Sequence, residues 1–354
     1  MELAARLAPI IGLVVLVATW GRSLSGVVAF LIGLVLVAAV LAAVHHAEVV
    51  AHRVGEPFGS LVLAVAVTVI QVALIVALMT SGGGKAETLA RDTVFSAIMI
   101  TTAGIVGVSL LAATLRRPIV TFNSEGAGGA LATVGALAVL TLVIPTFTSS
   151  SPGPTFTPGQ LAYAAVASLA LYLLFVFVQT VRHRDYFLNP GMGSEDAHSA
   201  PPSNRTAAIS LGLLLVSLVA VVGLAKTLSP TIESAVLAAG LPLAFVGVII
   251  ALVVLLPEGL AALRAARLGR VQTSLNLAFG SAMASIGLTI PTIAIAQVWL
   301  PVKLQLGLGA LQIVLLAIAL FVAALTVVPG RATLQQAGVH LAVFAAFLAV
   351  SVAP

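Results

Sequence analysis

Residues 255–291 read LLPEGLAALRAARLGRVQTSLNLAFGSAMASIGLTIP, and the placement of Glu258 within them decides the fold. The acid follows about 20 apolar residues, at a depth where hydrocarbon replaces water. A carboxylate is costly there unless something compensates it, so it marks a site. Pro257 has no N–H and leaves the carbonyl of Val253, one turn back, unpaired. Gly259 lets another backbone come close. The helix that follows carries Asn276, Gly280, Ser281 and Ser285. These residues predict a loosened helix at Pro257, Gly259 and Gly280 and a cluster of oxygens around Glu258. That is the donor set a hard cation such as Ca2+ or Na+ takes in place of its water, with Glu258 as the metal ligand.

Outward from this stretch the composition agrees. Of 354 residues, 60% are hydrophobic and 8% charged, and mean hydropathy is +1.20, which places the chain among integral membrane proteins. With no Cys there are no disulfides, thiolate metal sites or cysteine nucleophiles. A pI near 10.2 would suggest nucleic acid in a soluble protein. Here the basic residues sit in short loops between spans, where they set topology and imply no nucleic-acid partner. The first span, 7–20, lacks a small-residue cleavage site and reads as a helix rather than a signal peptide.

Apolar runs bounded by Gly, Pro or charge predict eleven spans, at 7–20, 26–45, 58–79, 93–115, 129–148, 161–181, 207–228, 233–256, 272–298, 305–329 and 338–353. In that arrangement 11 of the 16 Lys and Arg fall on the N-terminal side. The excess predicts a cytoplasmic N-terminus and an external C-terminus, in a bacterial inner membrane. The polar stretch 182–206 reads as a flexible cytoplasmic linker, and the uncharged stretch 149–159 as an external loop.

The two halves repeat. Thr93–Ser96 through Gly107 falls on Thr273–Asn276 through Gly287, so Ser96 matches Asn276 and Thr101 matches Ser281. The preceding helices then pair Gln71 with Glu258. Each unit holds five spans, and because five is odd the two lie in opposite orientation. The fold expected is all-α: one N-terminal helix (1–25), a first inverted repeat (26–181), the linker, and a second inverted repeat (207–354). Inverted repeats with polar groups near the midplane characterise secondary transporters.

Three blocks, HHAEVVAHRVGEPFGSLVLAVAVTVIQVALI at 45–75, ARDTVFSAIMI at 90–100 and the 255–291 stretch, resemble the cation/Ca2+ exchanger superfamily, and within it the bacterial ChaA-type Ca2+(Na+, K+)/H+ antiporters. The resemblance implies an eleven-helix antiporter in which two repeats each bring an acidic helix and a Gly-Ser helix to a central cation site. It makes Glu258 the acid of the second repeat and Gly280–Ser281 its Gly-Ser pair. The chain departs from the pattern at Gln71, where the family has Glu. An amide keeps one carbonyl oxygen but has no charge and no exchangeable proton. A native Gln71 implies altered coupling or a monovalent ion; an engineered one would imitate a permanently protonated acid.

Each candidate has a plainer explanation. Glu258 as an interfacial acid would pair with Arg264 or Arg267, and Gln71, on a face with Ser60, Ala64 and Thr68, would bridge packed helices. Taken singly, Asn276, Ser281, Ser285, Ser96, Thr101 and Thr102 suit close helix packing. Together they supply the neutral oxygens a Ca2+ site needs. His45, His46, Glu48, His52 and Glu56 gather at the cytoplasmic end of the second span. They read as proton access or regulation, with His45, Glu48 and His52 on one face as a transition-metal alternative. Lys226 and Glu233 read as a loop ion pair.

The function expected is cation/proton antiport by alternating access, Ca2+/H+ first and Na+/H+ or K+/H+ as the alternative, with the two bundles rocking about the site. No cofactor is implied; the partners are the bilayer, inorganic cations and protons, and association between copies of the chain stays open. An enzyme is disfavoured, because the spans carry no HExxH, GxSxG or paired Asp. A membrane scaffold or sensor would have no use for a buried Glu behind Pro.

Overall fold

The computed structural model describes residues 2–22, 24–55, 66, 68–73, 75–76, 86–189, 202–299 and 304–353. Most of the third span, Glu56, Ser60, Ala64 and the centre of the 182–206 linker lie outside the described residues. Within them the protein is all-α apart from one small ladder. The helices are α1 (Glu2–Thr19), α2 (Gly26–Val54), α3 (Glu87–Thr114), α4 (Ser124–Phe147), α5 (Pro158–Arg182), α6 (Asn204–Ala238), α7 (Ala244–Arg267), α8 (Val271–Gly287), α9 (Thr289–Ala296), α10 (Ala310–Val327) and α11 (Leu334–Val352). Among the described residues nine helical stretches are long and apolar enough to cross a bilayer, and α1 is apolar but shorter.

Local chemistry explains the ends. Asn123 caps α4 by accepting from the backbone N–H groups of Glu125 and Gly126. Thr157 and Gln160 form a capping box at α5 behind Pro158, and Thr333 and Gln336 form one at α11. Two boundaries differ from those expected. α2 runs on to Val54, so His45, His46, Glu48 and His52 are all helical. α6 continues through Pro230 to Ala238, because the turn is made instead by Gly240, at φ +71°, with Pro242 behind it. The span expected at 233–256 is thereby displaced to Ala244–Arg267, which puts Glu258 inside a helix rather than past its end. Lys226 and Glu233 form no ion pair; both lie in α6, and Glu233 accepts from Ser229 Oγ at 2.8 Å.

The halves of the sequence interlock. α3 packs on α7 and α11, α4 on α8 and α10, α5 on α9, and α2 on α6. Two apolar cores result. The larger draws on α3 to α5 and α7 to α11; the smaller joins α1, α2, α6, the start of α7 and Ala66 and Ile70 of the third span. An antiparallel two-residue ladder, Val120–Thr121 (β1) with Arg331–Ala332 (β2), ties the two halves at one membrane face. At other arginine-bearing helix ends Arg53 Nε donates to Asn204 Oδ1 at 2.7 Å and Arg116 to the carbonyl of Arg267 at 2.9 Å.

Candidate cation site

α7 and α8 form a hairpin closed by Leu268–Arg270, where Gly269 takes φ +78°. Glu258 lies 11 residues before Gly269 and Ser281 lies 12 after it. At 1.5 Å per residue each is about 17 Å from the turn, roughly half of a 30 Å hydrocarbon layer. The hairpin therefore brings acid and hydroxyl level with each other, and Ser281 Oγ donates to Glu258 Oε1 at 3.1 Å.

The third span adds Gln71, whose side chain is buried and whose Oε1 accepts from Ser285 Oγ at 2.8 Å. Thr68, one turn earlier, is buried on the same side. These groups line one cavity of about 170 Å3 with Asn276 and Tyr172. Glu258 Oε2 and Gln71 Nε2 are buried with no hydrogen-bond partner among the described residues. Neither Arg264 nor Arg267 forms an ion pair with Glu258; the one ion pair among the described residues is Arg91–Asp92, at 2.8 Å. That removes the interfacial explanation of the acid. Because Ser281 and Ser285 commit their protons to Glu258 and Gln71, their lone pairs stay free for a cation.

Other expected residues are placed differently. Asn276 lines the cavity, but its Oδ1 accepts from Gln272 Nε2 at 2.9 Å and its Nδ2 donates to the Phe187 carbonyl at 2.7 Å. It fastens α8 to the 184–187 turn instead of offering a free oxygen. Ser96 lines a separate cavity with Asp92, Gln312 and Ser351, and donates to the Asp92 carbonyl at 2.6 Å. Thr101 and Thr102 turn their hydroxyls back onto Ile98 of their own helix. Neither Ser96 nor Thr101 reaches the Glu258 cavity. Pro257 and Gly280 line it, yet α7 and α8 run unbroken through both, and through Gly259 as well. A Cβ at Gly259 would meet the Ile105 side chain at 3.4 Å rather than a neighbouring backbone. Irregular turns fall instead in the first half, where Ile100–Ile105 of α3, Val139–Val143 of α4 and Val178–Arg182 of α5 are π-helical.

The His-Glu cluster divides. Glu48 lines the cavity with Val44, at the end where Gln179 and Ala261 stand. His46 turns away and contacts the Ala5 carbonyl of α1 through Nε2 at 3.0 Å, while His45 meets His46 edge to face. His52 is exposed. Among the described residues no three His, Asp or Glu gather as a metal cluster, so His45, Glu48 and His52 do not form the transition-metal face.

Tyr172 was missed. It is 2% exposed, lines the cavity, and its hydroxyl has no partner among the described residues. A phenol in the middle of an apolar span, where its hydroxyl needs a partner, is the signal that would have singled it out.

A buried carboxylate and converging hydroxyls at mid-depth, held between interlocked helices, define a membrane cation transporter. Comparison with known proteins narrows this. The sodium/calcium exchanger protein family matches residues 22–181 and 209–353, and the chain belongs to that family; it is a secondary transporter rather than an enzyme. It is 47% identical over 322 residues to y4hA of Sinorhizobium fredii, described as an ionic transporter, covering 90% of this chain and 87% of that protein. It is 36% identical over 347 residues to the sodium-potassium/proton antiporter ChaA of Escherichia coli, covering 96% of this chain and 93% of that one. Its fold is that of native YfkE, at TM-score 0.73 and 16% identity over 99% of both chains, and of the H+/Ca2+ exchanger CAX, at TM-score 0.72 and 18% identity over 98% and 87%.

Proposed function

We propose that this chain is a cation/proton antiporter that carries Ca2+ out of the cytoplasm in exchange for protons, using Glu258 as the group for which the two compete. The observation that carries this is Glu258 Oε2, buried, without a partner among the described residues, in a cavity lined by the oxygens of Gln71, Ser281, Ser285 and Thr68. A carboxylate surrounded by protein is neutralised either by a proton or by a cation, so binding one displaces the other. Gln71, Ser281, Ser285 and Thr68 bring the oxygens that replace the ion's water. A relative is named for sodium-potassium/proton antiport and a solved structure of the same fold for H+/Ca2+ exchange.

A second reading, Na+ or K+ for H+, is favoured by Gln71. Only Glu258 carries charge at mid-depth, and a divalent ion there would keep one positive charge uncompensated.

The packing supports alternating access. Val44 and Glu48 of α2 form one wall of the cavity, and α5, α7 and α8 form the other. The smaller core that holds α2 joins it to α1 and α6. Because the larger core draws on both halves of the sequence, rocking one half against the other would tear it apart. A shift of α1, α2 and α6 against the rest leaves the larger core whole and disturbs only the side of the smaller core that meets the start of α7 and the third span. The inverted repeat is supported by Ser96 and Asn276: matched in sequence, they line different cavities, Ser96 near the start of α3 and Asn276 near the start of α8. The arginine-rich helix ends near Glu48 support a cytoplasmic opening on that side.

The test is ion flux in reconstituted vesicles under an imposed pH gradient, with Ca2+, Na+ and K+ compared and Glu258→Gln beside wild type. The variant is expected to lose proton-driven flux of every cation. Wild-type flux in the variant would remove Glu258 from the mechanism.

A further inference from the structure

Beyond the acid and the amide, one more buried polar atom at the cavity has no partner among the described residues: the hydroxyl of Tyr172 on α5. A phenol buried without a hydrogen bond is less stable than the phenylalanine that would fill the same space. Its ring is nevertheless held firmly. Gly287 at the end of α8 leaves room for it, since a Cβ there would stand 2.6 Å from Tyr172 Cβ and 3.0 Å from its Cγ. The surrounding groups are already matched to one another: Ser281 donates to Glu258 and Ser285 to Gln71. Tyr172 is outside both pairs.

We propose that the Tyr172 hydroxyl is a ligand of the transported cation and sets which cation the cavity prefers. The assignment rests on the exchanger reading of the cavity. With an amide at residue 71, Glu258 is the one carboxylate paired with the hydroxyls of α8 among the described residues; Glu48 stands on the α2 wall of the cavity, and the other side-chain oxygens around Glu258 are neutral. A phenol oxygen keeps lone pairs for a cation while its proton turns outward to water entering from the Glu48 end. The ligand comes from α5, a different helix from those that carry Glu258 and Gln71. The three elements close on the ion together, and small differences in ionic radius change how well all three reach it.

The test compares wild type with Tyr172→Phe, which keeps the ring against Gly287, and with Tyr172→Met, which keeps apolar bulk. Thermal unfolding of purified protein is followed with and without Ca2+, Na+ and K+, and half-saturation for each is measured in vesicles. Without cations, Tyr172→Phe is expected to match or exceed wild type in unfolding temperature. Its half-saturation for the preferred cation is expected to rise about tenfold, with a changed order among the three cations and a smaller effect on maximal rate. Half-saturation and cation order equal to wild type in both variants would overturn the assignment, whatever their stability. A wild type that responds to none of the cations would overturn the exchanger reading along with it.

Discussion

Ser285 Oγ donates to Gln71 Oε1 across 2.8 Å, joining residues 214 apart in the chain one turn of α8 beyond Ser281. The bond holds a first-half helix against α8 and fixes which end of the amide faces which neighbour. A glutamate at 71 accepts the same bond and brings a charge and a proton besides. Gln71→Glu is therefore expected to favour Ca2+ over Na+ and K+ and to raise by one the protons exchanged per cation. The pH gradient at which net Ca2+ flux reverses reads this directly. An unmoved reversal point would take residue 71 out of the coupling.

Ser281 is the one protein donor to Glu258 among the described residues, at 3.1 Å. Ser281→Ala removes both that donor and an oxygen available to the ion. Half-saturation for the transported cation is expected to rise by about tenfold, the scale of a charge-assisted hydrogen bond. Cation-concentration curves in vesicles measure it, and an unshifted curve would make the contact incidental.

The mid-depth acid with its partner Ser281, and Gln71 with its partner Ser285, were legible because each interrupts an apolar run, and because the sequences of the two halves can be matched. The register failed to predict where Ser96 and Thr101 point. Sequence matching pairs positions but not the surfaces they face: Ser96 and Asn276 line different cavities, and a Thr can satisfy itself on its own helix. The ends of α6 and α7 were misplaced for a related reason: Pro230 reads as a breaker, yet a long helix tolerates one missing N–H when tertiary packing supports it. Glu48 was visible as part of a polar cluster. That it alone of the cluster's described members turns to the cavity depends on how α2 packs on α6, which no local pattern encodes.

Gly287 ends α8 where Tyr172 Cβ would be 2.6 Å and the Ser168 carbonyl 3.4 Å from an added Cβ. The obstacle is the root of a side chain and a backbone oxygen, neither of which swings aside. Gly287→Ala is expected to cost about 1–3 kcal/mol of stability through overpacking. It also pushes α5 from the cavity. A thermal-unfolding midpoint unchanged in detergent would show that the two helices separate freely.

Arg91 and Asp92 form a pair at 2.8 Å near the start of α3, with Asp92 4% exposed, and Arg91 also donates to the Gly307 carbonyl at 3.2 Å. Removing the guanidinium strands a buried carboxylate, which leaves Gln312 Nε2, at 3.4 Å, as its side-chain donor from outside α3. Asp92→Asn removes the charge along with the need for a partner. Arg91→Ala is accordingly expected to destabilise by about 3 kcal/mol and by more than Asp92→Asn. Equal unfolding midpoints for the two variants would show that the pair is solvated enough to be indifferent.

Glu48 lines the cavity at the end where Arg264 lies within electrostatic reach. A negative charge at the mouth of a narrow opening raises the local concentration of cations, and that effect fades once salt shortens the screening length to a few ångströms. Glu48→Gln is expected to slow cation entry several-fold at about 10 mM ionic strength and to approach wild type near about 1 M, where screening acts within about 3 Å. Initial uptake rates in vesicles at the two salt levels, with choline as the inert cation, give the comparison. A defect of the same size at both would mean that Glu48 touches the ion inside the cavity instead of attracting it from outside.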